Sequence, residues 1–90
     1  MANCYIITYD LKAVWGQDYT PVYETIKSYG TWAHINGSTW AIVTDENASQ
    51  IRDKLLLLIQ DEDSLFVIKS GKEAAWKNVR CKNEWLKNNL

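Results

Sequence analysis

The chain has few of the residues that disulfide frameworks, zinc sites and membrane spans require. It holds two cysteines and one histidine among 90 residues, which excludes a disulfide-rich scaffold and the ligand clusters of zinc sites. We expect Cys4 and Cys81 to be free thiols in a reducing cytoplasm. The longest apolar run covers residues 55–59, far short of the roughly 20 residues that cross a bilayer. Residues 1–4 carry no basic side chain, so we expect no signal peptide and no membrane association.

Neither sign of charge dominates, because the formal net charge is −1. The chain therefore lacks the strong positive field expected of a protein that binds long duplex DNA by itself. The charge is unevenly spread: residues 69–90 hold six basic and two acidic side chains, while residues 1–68 hold four basic and nine acidic ones. An anion-binding surface should therefore involve the C-terminal third of the chain.

The one proline and two of the four glycines mark predicted element boundaries in the first half. Residues 4–10, rich in Ile and Tyr, predict a strand. Thr20 as N-cap and Pro21 at the first helical position predict a helix that Gly30 closes. The pair Asn36-Gly37, common in type I′ turns, predicts a hairpin whose loop has two or three residues.

The second half predicts two more helical regions around a short strand. Asn47 and Gln50 form a capping box that opens a helix, and residues 65–69 read as an apolar strand. Ser70 and Glu73 form another capping box, which predicts a short helix over residues 70–79. The last eight residues predict a further helical turn or two, and we expect Trp85 to be a packing residue.

This order of elements, β-α-β-β-α-β followed by a helical tail, is typical of a ferredoxin-like α+β fold. We find no linker or repeat, so residues 1–90 are expected to form a single domain. Trp32, Trp40, Phe66 and Ile68 lie on alternating faces of the predicted strands. A sheet with apolar residues on both faces must cover both, and a homodimer through the second face is the predicted solution. The alternative is that the tail covers that face.

Asp10 ends the apolar first strand, where a side chain leaves the core and can meet a ligand. Asp10 and Asp18 could share a Mg²⁺ ion, which binds proteins through one or two carboxylates and keeps several waters. Such an ion would activate water against a phosphodiester. Alternatively, Asp10 caps the turn after the strand, and Asp18 stabilises the N-terminus of the first helix.

The segment "YDL" at the end of the first strand, a helix ending in "SYG" and the following hairpin resemble the small CRISPR-associated adaptation subunit. They are more similar still to short stand-alone bacterial and phage proteins labelled SinR-like. The resemblance covers about residues 4–69 and implies a ferredoxin-like homodimer. It further implies that Asp10 of each protomer faces the cleft between them, where it is linked to metal-dependent phosphodiester cleavage.

Aromatic residues are abundant, with five Trp and five Tyr. Aromatic faces bind bases by stacking without needing a strongly basic surface; the alternative is that these rings fill the core and a dimer interface. We predict a ligand-binding set of six residues: Trp15, Tyr19, Trp32, His34, Lys69 and Lys72. Trp15 in the first loop is the candidate for an exposed platform. Lys69 and Lys72 flank a predicted helix start that favours an anion.

His34 stands in the second predicted strand without a cysteine or a second histidine nearby. It is either a buried or interface residue or, beside a carboxylate, a proton shuttle.

Three functional hypotheses follow from these observations. The first is a homodimeric protein that binds a nucleotide or short nucleic acid in a cleft between protomers, near Asp10. The second is a Mg²⁺-dependent endonuclease that uses Asp10. The third is a phage anti-defence protein that sequesters a cyclic nucleotide signal without hydrolysing it.

Overall fold

The computed structural model describes residues 2–12 and 18–90, so the platform predicted at Trp15 lies outside the described residues. The predicted α+β class is confirmed, with a four-stranded antiparallel sheet and three helices in this part of the chain. The elements are β1 (Asn3–Asp10), α1 (Thr20–Lys27), β2 (Trp32–Asn36), β3 (Thr39–Thr44), α2 (Ala48–Leu56), β4 (Ser64–Lys69) and α3 (Asn83–Asn89). None of the helices in the described part of the chain has the length and apolarity that crossing a membrane requires.

The four strands form one sheet in the order β2-β3-β1-β4, and every neighbouring pair is antiparallel. Strand β1 is central, while β2 and β4 form the edges. Because successive strand residues point to opposite faces, Tyr9 and Asp10 lie on different sides of the sheet.

The main core lies between α1, α2 and one face of the sheet. Each element contributes side chains at the spacing that its geometry requires: alternate residues from the strands, and residues four apart from the helices. The cluster consists of Tyr5, Ile7, Tyr9, Tyr19, Val22, Ile26, Trp40, Ile42, Ile51 and Leu55.

Local signals at the helix ends largely act as predicted. Asn47 and Gln50 form both hydrogen bonds of the capping box at the start of α2, at 2.9 and 2.8 Å. Helix α1 begins at Thr20, one residue before the predicted first position, and its N-cap, Tyr19, makes no side-chain capping bond. Gly30, with φ +87°, follows its last turn, a backbone conformation that glycine adopts without steric cost.

The hairpin is present, but the predicted type I′ turn at Asn36-Gly37 is wrong. Asn36 pairs with Thr39, which leaves Gly37-Ser38 as a two-residue loop. Among the described residues, positive φ occurs at Gly30 and Asn78, whereas a type I′ turn needs it at both central positions. The register shift between His34 and Asn36 inserts one extra residue into β2 and moves the turn one position along the chain.

The helix predicted over residues 70–79 is also wrong, because residues 70–82 contain no helix. The Ser70 N–H donates to the Cys4 carbonyl at 2.8 Å, and the Arg80 N–H donates to the Ile35 carbonyl at 2.8 Å. The segment thus connects the two edges of the sheet, which are about 14 Å apart at the usual strand spacing. The backbone of this segment therefore bonds to the strands, and the capping box predicted for Ser70 and Glu73 does not start a helix.

The sheet face away from α1 and α2 is covered in part. Ala33 and Ala41 on this face are buried, although their side chains are small. Leu86 of α3 is 1% exposed and lies outside the main core cluster. The C-terminal segment reaches this part of the sheet, since the Arg80 N–H bonds to Ile35 of β2. Phe66 and Ile68 of β4 stay 59% and 50% exposed on the same face.

Candidate functional site

The candidate site starts at the β2–β3 hairpin, whose register brings three rings to the face that α1 covers. His34 lies opposite Trp40, and its imidazole stacks on the indole with ring centroids 3.9 Å apart and planes 6° apart. Trp32 contacts the same indole at 5.5 Å with a tilt of 53°. Trp40 is 3% exposed and Trp32 is 37% exposed. Trp40 is therefore a buried support for two rings that solvent can reach.

The position of Trp40 is fixed by residues from β1 and α1. Its Nε1–H donates to the Tyr9 hydroxyl at 2.9 Å, and the Tyr23 ring stacks on it at 6.3 Å. Burial raises the pKa of Tyr9, although the hydrogen bond from Trp40 acts in the opposite direction. The Tyr9 hydroxyl therefore stays neutral near pH 7 and keeps its place in this network.

Beside these rings, between α1 and the C-terminal segment, lies a cleft of about 420 Å³. Cavities of this size hold small-molecule ligands. Of the described residues, three cations line it, Lys27, Arg80 and Lys82, together with Trp85, and no Asp or Glu does. The cleft thus has a local charge of +3 in a chain whose net charge is −1.

The three cations reach the cleft from two separate parts of the chain. Lys27 ends α1, and its Nζ lies 5.5 Å from the centroid of the Trp32 ring. Arg80 and Lys82 precede α3, and the Arg80 N–H bond to Ile35 holds this segment against β2. Within the described part of the chain, none of the three forms an ion pair with a carboxylate. Their charges are therefore available to a ligand anion.

Helix α3 places Trp85 on the far side of the cleft. The neighbouring Leu86 is buried, and the Trp76 Nε1–H donates to Asn83 Oδ1 at 3.1 Å at the start of the helix. The prediction that Trp85 only packs is therefore incomplete, because its half-buried ring also lines the cleft.

Asp10, the predicted catalytic residue, does not line this cleft. Its carboxylate is exposed and pairs with Lys12 Nζ at 3.2 Å. It lines another depression, of about 340 Å³, together with Thr8, Tyr9, Ser64, Leu65 and Phe66. The cleft beside β2 and this depression share no lining residue.

Asp18 makes a local contact at the start of α1. Asp18 Oδ1 accepts a hydrogen bond from the Thr20 N–H at 2.9 Å, and this bond lowers the pKa of Asp18. That contact is the helix-start role considered as the alternative for Asp18. Across residues 2–12 and 18–90, no three His, Cys, Asp or Glu side chains group closely enough to hold a metal ion. The Mg²⁺ ion stays a prediction of the sequence, and no step below depends on it.

Three other predicted ligand-binding residues lie away from the cleft. Tyr19 is 8% exposed, and its hydroxyl donates to Asp63 Oδ2 at 2.7 Å, so its ring is a core residue. Lys69 and Lys72 are exposed, but the helix start that they were expected to flank does not form. Of the predicted set, the structure brings Trp32 and His34 together.

Sequence reasoning missed the cations that complete the site. Lys27 was the last charged residue of a predicted amphipathic helix, and Arg80 and Lys82 were part of the C-terminal positive excess. That excess was the available signal, because it placed an anion-binding surface in the C-terminal third. The excess could not show that Arg80 and Lys82 meet Trp32 and His34, since the two pairs lie about 50 positions apart in the sequence.

A scan against protein-family models and searches among curated proteins and solved structures find no match to this chain.

Proposed function

We propose that the protein binds a small nucleotide in the cleft beside β2. One observation carries the proposal: Trp32, His34 and Trp85 line the cleft together with three cations and without a carboxylate. Bases stack on aromatic side chains, at about 1–3 kcal/mol per base. Lysine and arginine bind phosphate by charge-assisted hydrogen bonds. A nucleotide carries both groups in one molecule.

The distribution of charge favours a small nucleotide over a long duplex. The cleft is positive, but residues 1–68 carry nine acidic and four basic side chains. A duplex long enough to leave the cleft would meet that acidic surface, and its phosphates would be repelled. A mononucleotide or dinucleotide stays within the basic region.

Titration of the protein with the four ribonucleoside 5′-monophosphates, followed by calorimetry and Trp fluorescence, tests this proposal. Trp32→Leu should weaken binding about five- to 150-fold, the range that corresponds to one lost base stack. Arg80→Gln should weaken binding and flatten its dependence on salt, because one phosphate contact is lost. The matched control is Lys69→Gln, which removes an exposed cation outside the cleft and should bind as the wild type does.

Two results would count against the proposal. One is wild-type protein that binds none of the nucleotides at millimolar concentration. The other is binding that Lys69→Gln weakens as much as Arg80→Gln does, since the attraction would then come from overall charge.

The separation of Asp10 from the cleft supports binding without hydrolysis over a phosphodiesterase reaction. The alternation along β1 puts Tyr9 on the cleft side and Asp10 on the other. This favours the sequestering hypothesis over the endonuclease hypothesis for a ligand held beside β2.

We predict that Asp10→Ala leaves nucleotide affinity unchanged within twofold, because its carboxylate does not line the cleft. Incubation with radiolabelled nucleotide or short RNA in Mg²⁺, followed by chromatography, should return the ligand intact. Cleavage by the wild type that Asp10→Ala abolishes would instead favour the endonuclease.

We also propose that the fold is ferredoxin-like and that the protein forms a homodimer, as the resemblance to the CRISPR adaptation subunit implies. The element order and the sheet order β2-β3-β1-β4 support the first part. The exposed apolar side chains of Phe66 and Ile68, on the face that carries Asp10, support the second. A dimer through β4 would bring the Asp10 residues of two protomers toward one interface.

A further inference from the structure

A second cavity borders the cleft beside β2 and reaches the hairpin loop at Gly37. This second lobe, of about 240 Å³, is lined by Tyr9, Tyr23 and Gly37. It shares Lys27, His34 and Trp40 with the first lobe. The stacked pair of His34 and Trp40 therefore stands between two aromatic lobes, and Lys27 borders both.

The second lobe offers ring surfaces of its own. Tyr23 is half-buried and stacks beside Trp40 with centroids 6.3 Å apart and planes 19° apart. Tyr9 and Tyr23 contact each other at 6.2 Å. The Tyr9 hydroxyl accepts the Trp40 indole hydrogen bond, so these rings form a rigid surface.

One cation, Lys27, borders both sets of rings, while Arg80 and Lys82 line the first lobe. Among the described residues, no Asp or Glu lines either lobe. A negative group where the two lobes meet is therefore attracted by Lys27 without repulsion from a lining carboxylate.

We infer that the ligand of this site carries two bases joined by a phosphodiester, a linear or cyclic dinucleotide. One base occupies the lobe of Trp32 and Trp85, the other occupies the lobe of Tyr9 and Tyr23, and the linking phosphate lies at Lys27. This inference rests on the proposed nucleotide binding and specifies its ligand class.

The test compares two ligands of equal charge. Adenylyl-adenosine carries two bases and one diester phosphate, while the methyl ester of adenosine monophosphate carries one base and the same diester charge. Because the second base binds as part of the same molecule, its contacts add to the affinity with little further loss of freedom. The dinucleotide should bind at least about tenfold more tightly in calorimetry.

Two substitutions at Gly37 act on the second lobe, because Gly37 lines this lobe and not the first. Gly37→Leu and Gly37→Met each add a side chain of different shape, at a position where a Cβ atom meets nothing within 4 Å. Both variants should reduce dinucleotide affinity to that of the methyl ester and leave the methyl ester unaffected. Circular dichroism checks that each variant is folded.

The possible outcomes separate this inference from the proposed function. If the wild type binds both ligands equally well, or if both variants keep the tighter dinucleotide binding, the two-base ligand is wrong while nucleotide binding stands. If neither ligand binds the wild type, the proposed function fails with it.

Discussion

At the scale of single residues, Trp40 links stability to the candidate site. Its indole is buried in the core, donates a hydrogen bond to the Tyr9 hydroxyl and stacks against the His34 ring. The same ring thus contributes apolar burial on one side and a stacking surface on the other. The exposed Trp32 depends on it for its position, because the two rings are in contact.

Replacing Trp40 with phenylalanine should lower the free energy of unfolding by about 1–3 kcal/mol, since the Tyr9 hydroxyl loses the indole donor and the smaller ring leaves a cavity in the core. Urea unfolding followed by circular dichroism measures this change. Trp76→Phe is the matched control, because its indole N–H donates to Asn83 at the exposed surface and its loss should cost less than about 0.5 kcal/mol. If both variants lose the same free energy of unfolding, burial of the Trp40 indole and its hydrogen bond to Tyr9 adds nothing to stability, and the prediction is wrong.

At the scale of elements, loops rather than helices hold the strand ends together. Asp63, in the loop before β4, accepts hydrogen bonds from the Lys12 N–H at 2.7 Å and the Gln60 N–H at 2.8 Å. It also accepts one from the Tyr19 hydroxyl. One carboxylate thereby connects the segments that follow β1, precede α1 and follow α2.

The carboxylate of Asp63 should make stability depend on pH. Burial alone would raise the pKa of Asp63, but the three hydrogen bonds outweigh it and lower the pKa below its ordinary value. The stabilisation is therefore fully present above the unfolded-state pKa, about 3.9, and is lost as the pH falls through the lower folded-state pKa. Asp63→Asn should thus be less stable than the wild type at pH 7, and the difference should shrink at pH 3. Urea unfolding at the two pH values measures it.

The control for this prediction is Asp61→Asn in the same loop, since no hydrogen bond is found for Asp61 in the structure. A stability difference between the wild type and Asp63→Asn that stays the same at both pH values would contradict the assignment.

At the scale of the whole molecule, the C-terminal segment divides the second face of the sheet into a covered and an open part. Ala33 and Ala41 are buried, whereas Phe66 and Ile68 on β4 are exposed. The β2 half of this face is therefore buried within the chain, and the proposed dimer needs only the β4 half.

We predict that the protein sediments as a dimer, about twice the chain mass of 10.4 kDa, and that Phe66→Asp makes it monomeric. A charge in an apolar interface loses hydration without gaining a partner. The control is Leu57→Asp on α2, at a residue that is 86% exposed and lies off this face; it should stay dimeric. A wild-type monomer at micromolar concentration would rule out the proposed dimer, and a monomer for Leu57→Asp alone would move the interface to α2.

The elements that depend on neighbours in the sequence could be predicted from it. The alternation of β1, the capping box at Asn47 and the breaker at Gly30 act within a few residues, so their patterns survive in the structure. Ser70 and Glu73 show where such reasoning fails. Their capping box is equally local, but the backbone of this segment bonds to Cys4 and Ile35 instead.

What only the tertiary structure decided is where the charges and rings meet. The sequence by itself determined the α+β class, the start of α2 and the positive C-terminal third. The cleft joins Lys27, the β2–β3 hairpin and Arg80, and the sheet order with the path of the C-terminal segment brings them together. No spacing rule links residues about 50 positions apart, because their approach depends on the packing of the whole chain. The alternation of β1 by itself turns Tyr9 and Asp10 to opposite faces, but only the packing of the helices decided that the face of Tyr9 is the one in the core.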